Sequence, residues 1–143
     1  MSQIVVGYDG CGCSDAALDR AIELAKQLGD GITVVFGYAP PGLWGGEIAE
    51  HEEAIEELGE RLMAEASRRA AAAGIEAETE LVPKRSTEAL IDVAARRDAR
   101  MIVVGSYGEP PLKGFILGST PNKLLHLSER PVLVVPSRHG DDG

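Results

Sequence analysis

Residues 101–120 read MIVVGSYGEPPLKGFILGST: an unbroken apolar run, then four glycines and a closing Ser-Thr pair. A continuous run such as Met101 to Val104 fits a strand covered on both faces, the hallmark of a parallel sheet with helices above and below. The connection after it is long and rich in glycine, which a compact domain tolerates where the backbone itself is needed for contact. Working outward, the same alternation recurs. Ile4 to Tyr8 is a short β-branched run, followed by helical spacing at Ala17, Ala21, Leu24 and Leu28, with Ser14 expected as N-cap and Gly29 as C-cap. Ile32 to Phe36 is a second strand, and the prolines and glycines of YAPPGLWGG after it exclude regular structure.

A long helix is expected from about Glu47 to Ala73, with Ile48, Ile55, Leu58 and Leu62 on one face, glutamates in its first turns and Arg68 and Arg69 in its last. IEAETELV alternates apolar and polar residues, which suits a strand near a sheet edge. Ser86 is expected to cap a third helix that turns Leu90, Val93 and Ala94 inward and ends near Asp98. A short helix from about Ser119 to Ser128 and a strand from Pro131 to Val135 complete a β-α-β-α-β-α-β-α-β order. That order implies parallel pairing, because each crossover is right-handed and long enough to hold a helix.

The chain has 143 residues, 44% of them hydrophobic, which is one domain's worth of core. A single domain is expected over 1–137 and a disordered polar tail over 138–143. The formal net charge is -9, from 23 acidic and 14 basic residues, and no basic block marks a nucleic-acid surface. The opening MSQIVVGYDG has no basic leader, and no run approaches membrane-spanning length, so a soluble, cytoplasmic protein without a membrane partner is expected.

In such open sheets ligands sit beyond the carboxyl ends of the strands, where the strand order reverses. Asp9 ends the first strand and Gly105 the fourth; if these strands are neighbours, residues 9–14 and 105–119 form two sides of one crevice. Gly118-Ser119-Thr120 opens a helix, where amides and hydroxyls favour an anion such as phosphate. The loop is neither a Walker A sequence nor a GxGxxG dinucleotide turn.

Gly105-x-x-Gly108, nine residues, then Gly118-Ser119 resembles the G-2x-G-9x-G-(S/T) signature of the ATP-binding branch of the universal stress protein family. VVGYDG, SDAAL and ERPVLVVP resemble that family's first strand, first helix and last strand, so the likeness runs along nearly the whole chain. The resemblance implies a Rossmann-like, adenine nucleotide alpha hydrolase-like fold: an open five-stranded parallel α/β sheet in the order 3-2-1-4-5. It further implies an ATP site, with or without Mg²⁺, and a homodimer through the C-terminal strand; AMP and cyclic AMP are the alternative ligands. By the same resemblance, Gly105 and Gly108 line the triphosphate loop, and Gly118, Ser119 and Thr120 hold phosphates. Asp9 faces the ribose or adenine side, and Gly7, Gly37 and Val104 neighbour the base.

Glu109-Pro110-Pro111 departs from the family pattern, since a carboxylate repels phosphate and each proline removes an N–H donor. Pro121 removes another, at a position where proline is sterically acceptable. Lys113 and Lys123 could compensate for the carboxylate's charge, although a solvated loop lysine and an exposed helix residue are the plainer readings. Cys11 and Cys13, beside the free amides of the first helix, are candidates for lowered thiol pKa values and oxidant sensing, although small buried turn residues are the plainer reading. His51, His126 and His139 fall in separate elements, so no metal site is expected. No catalytic set of Mg²⁺ carboxylate, cationic clamp and nucleophile-positioning group can be assembled. A regulatory nucleotide-binding module is expected, with slow hydrolysis at most. A slow ATPase, a cyclic-nucleotide binder and a nucleotide-free dimeric interaction protein are the alternatives.

Overall fold

The structure, a computed structural model, describes residues 1–38, 48–106 and 119–136, and the side chains of all of these except 48–52. Nine elements follow one another: β1 (Gln3–Gly7), α1 (Gly12–Leu28), β2 (Gly31–Gly37), α2 (Ile48–Ala72), β3 (Glu78–Val82), α3 (Ser86–Arg96), β4 (Met101–Gly105), α4 (Ser119–Leu127) and β5 (Val132–Val135). The strands form one parallel sheet in the order β3-β2-β1-β4-β5, as the resemblance implied.

The alternation of side chains along the central strand explains the layers. Ile4 and Val6 of β1 pack with Ala17, Leu18 and Ala21 of α1 and Met63, Ala66 and Ala70 of α2. Val5, between them, joins Leu90 and Val93 of α3 and Leu124 of α4 on the other face. All three β1 residues are fully buried, each worth roughly 1.5–3 kcal/mol of transfer from water. No helix among the described residues is long and apolar enough to cross a membrane.

Several local expectations need correction. The N-cap of α1 is Cys11, whose sulfur accepts from the Ser14 N–H, while the Ser14 hydroxyl donates to the Cys11 carbonyl. Gly29 does close the helix, with φ 72° and its N–H on the Ala25 carbonyl. Leu28 is 44% exposed, and the buried stripe of α1 runs through Ala17, Leu18, Ala21, Ile22 and Ala25. In α2 the buried face passes through Met63, Ala66 and Ala70, one step around from Leu58, which is 43% exposed; the side chain of Ile48 lies outside the described residues. Small side chains let α2 approach the sheet closely, and a search for large apolar residues overlooks them. β3 begins at Glu78, three residues later than the alternation of IEAETELV suggested, and it is an edge strand as expected. Ser86 is the first residue of α3, whereas Arg85 occupies the N-cap and makes no side-chain capping bond.

Candidate functional site at the carboxyl ends of the strands

β1 lies between β2 and β4, and the chain leaves these strands toward opposite faces of the sheet: α1 packs on one side, α3 and α4 on the other. This divergence opens a cleft of about 290 Å³, near the lower end of the roughly 300–1,000 Å³ range of small-molecule sites. Gly7, Tyr8 and Asp9 line it from the end of β1, Gly37 from the end of β2, and Val104 and Gly105 from β4. Ser119, Thr120 and Pro121 line it from the start of α4. The cleft thus brings together Gly7, Asp9, Gly37, Val104, Gly105, Ser119 and Thr120. Gly108 and Gly118 lie outside the described residues, as do Glu109, Pro110, Pro111, Lys113, His139 and the tail 138–143.

Two of the glycines are required for close packing. A Cβ on Gly105 would sit 2.6–2.7 Å from the Cβ, carbonyl carbon and oxygen of Cys13, so α1 can reach β4 only across a glycine. A Cβ on Gly37 would meet the Lys84 carbonyl oxygen at 2.8 Å and Ala89 at the same distance, where the start of α3 crosses the end of β2. At both positions the missing side chain draws a helix start toward the cleft, which itself shortens the distance from backbone N–H groups to a bound molecule.

Asp9 is exposed at the cleft mouth, and its carboxylate accepts the Cys11 N–H at 3.0 Å, which folds the turn into α1. Tyr8 is buried and donates to Asp15 at 2.6 Å. Burial, then the bond to Asp15, holds its hydroxyl well above the usual phenol range. Burial, followed by the hydrogen bond with Asp9, pushes the Cys11 thiol up to about 11. The candidate lowered pKa for this residue is therefore corrected: the carboxylate of Asp9 and desolvation outweigh the helix start, and Cys11 stays a protonated thiol at neutral pH. Cys13 is 3% exposed, with its sulfur 3.8 Å from the Ser106 hydroxyl. Among the described residues no cluster of three or more His, Cys, Asp and Glu is placed to hold a metal.

The apolar part of the wall comes from Val35, Leu90 and Val104, a surface suited to one face of a planar ring. Leu90 and Ser86 were read only as core and cap residues. The signal that could have found them is topological: α3 also starts at the carboxyl edge of the sheet, the edge on which ligands of open α/β sheets sit.

The same architecture is found among known proteins. A Universal stress protein family profile matches residues 1–136. A universal stress protein of Mycolicibacterium smegmatis is 35% identical over 147 residues, covering 97% of this chain and 48% of that protein, so the chain spans about half of that relative's length. A solved universal stress protein in complex with cAMP is 28% identical with a TM-score of 0.72, over 94% of this chain and 96% of that one. The Archaeoglobus fulgidus universal stress protein in complex with dAMP is 25% identical, again with a TM-score of 0.72, over 94% and 98% of the two chains. On the profile's span, the sheet order and these relatives together, the chain belongs to the Universal stress protein family.

Proposed function

We propose that the chain is a regulatory module that binds an adenine nucleotide, ATP foremost, in the cleft between β1 and β4. The observation that carries this reading is the convergence of Asp9, Gly105, Ser119 and Thr120 on one cleft at the reversal of strand order. The apolar wall suits the base, the exposed carboxylate of Asp9 suits ribose hydroxyls, and the start of α4 suits phosphate. Complexes of related proteins with cAMP and dAMP support the ligand class. In this reading the module works in the cytoplasm as a homodimer. Support for the dimer comes from β5, a sheet-edge strand whose Val132, Leu133 and Val134 are only partly buried; a monomer in equilibrium sedimentation at micromolar concentration would contradict it.

Calorimetric titration of nucleotide-stripped protein with ATP, with and without Mg²⁺, and with AMP and cyclic AMP tests the proposal. Micromolar binding is expected, weakened roughly tenfold or more in a Ser119→Ala/Thr120→Val variant that loses both hydroxyl donors. Folded protein that binds none of the three nucleotides would overturn the reading and leave the nucleotide-free interaction protein in its place.

A further inference from the structure

Beside the cleft lies a second cavity of about 570 Å³, and the two share Gly37, Ser86, Ser119 and Thr120 on their walls. Their charges differ. Among the described residues lining the first cleft, Asp9 is the only one charged at neutral pH. The second is lined by Arg85 and Lys123, with one carboxylate, Glu88. Both cations are exposed, and neither forms an ion pair among the described residues.

Thr87 supplies an independent observation. It is only 7% exposed, and its hydroxyl makes no hydrogen bond among the described residues. Buried hydroxyls are normally partnered. No unpartnered side-chain oxygen among the described residues is sealed from solvent, so this hydroxyl keeps access to solvent, and Thr87 lines the cavity. The first turn of α3 lies on the same wall. Because Arg85 at its N-cap makes no side-chain capping bond, the N–H groups of that turn lack a side-chain acceptor. A donor hydroxyl, an uncapped helix start and two unpaired cations therefore border one space, against a single opposing carboxylate.

We infer that this second cavity is a subsite for a phosphate-class anion, held by Thr87, the start of α3, Arg85 and Lys123. The inference rests on the nucleotide reading of the adjoining cleft and deepens it. A nucleotide whose base lies in the nearly neutral cleft directs its charge past Ser119 and Thr120, toward the cationic side of the same groove. The subsite thereby ranks adenine nucleotides by the negative charge they carry away from the base.

Calorimetric affinities for ATP, AMP and inorganic pyrophosphate, measured on wild type, Arg85→Gln/Lys123→Gln, Thr87→Val and Thr87→Ser, test it, with circular dichroism to verify folding. ATP affinity is expected to fall roughly tenfold in the charge variant and severalfold in Thr87→Val. AMP affinity is expected to stay within about twofold, and Thr87→Ser to retain ATP binding, since the hydroxyl is kept. Pyrophosphate that binds AMP-loaded wild type but not the charge variant supports the subsite with a free anion as one source. Failure of pyrophosphate beside the same ATP pattern supports it with a nucleotide-linked phosphate alone. The subsite is overturned if the variants weaken ATP and AMP equally, or leave both unchanged. If wild type binds no AMP or ATP, the nucleotide reading fails by itself; pyrophosphate binding lost in the charge variant would still support the anion site, and its absence would overturn both.

Discussion

At the amino ends of the strands Asp30 receives two hydrogen bonds from Arg100, at 2.5 and 3.1 Å, and Arg130 donates to the Ala99 carbonyl and to Asp98. Gln3 accepts the hydroxyl proton of buried Thr33 at 2.9 Å. At the carboxyl ends, Arg85, Lys123, Thr87, Ser119 and Thr120 make no comparable side-chain bonds among the described residues. One sheet thus has an end where these polar groups satisfy one another and an end where these five line open space, beside partnered groups such as Asp9 and Tyr8. The first arrangement stabilises the fold, whereas the second leaves donors ready for a ligand.

The largest expected effect tests where the two functions overlap. Gly105→Ala places a methyl group within 2.7 Å of the Cys13 backbone, and that contact cannot be relieved without moving the start of α1. A loss of roughly 3 kcal/mol in urea unfolding is expected; an unchanged midpoint would mean that α1 does not need the glycine.

Asp30→Asn tests the closed end and should lower Tm by about 5 °C at pH 7. The hydrogen bonds from Arg100 hold the Asp30 carboxyl below the usual carboxylate range, against the opposing effect of its burial. Its contribution is therefore complete above the unfolded value near 3.9, and is lost as pH falls through the lower folded value. Thermal melts of the two proteins should converge as pH falls through the lowered folded value; a gap that stays constant with pH would show that the charge plays no part.

The smallest effect belongs to the open end. Ser119→Ala/Thr120→Val should change unfolding free energy by no more than about 0.5 kcal/mol, because neither hydroxyl bonds to another described residue. A larger loss would make these residues structural and narrow the contrast between the two ends.

Hydrophobic period made the element order legible, since runs such as Met101 to Val104 and the 3.6-residue spacing of Leu90, Val93 and Ala94 leave little choice of state. Helix starts were less legible. Ser14 and Ser86 both resemble N-caps, but the first is bonded by a sulfur cap three residues earlier and the second follows an arginine that caps nothing through its side chain. The glycine and Ser-Thr positions of the cleft were readable because their spacing carries a family signature. The second cavity was not: Arg85 and Thr87 stand more than thirty positions from Lys123 in the chain, and only the packing of α3 and α4 on one face of the sheet brings them together.

The most direct test of the contrast between the two ends is an amide chemical-shift map of the protein on titration with ATP. Shifts concentrated at Gly7, Asp9, Gly37, Gly105, Ser119 and Thr120, with Asp30, Arg100 and Arg130 unmoved, are the predicted result. Shifts at the amino ends of the strands, or none at saturating ATP, would contradict the account.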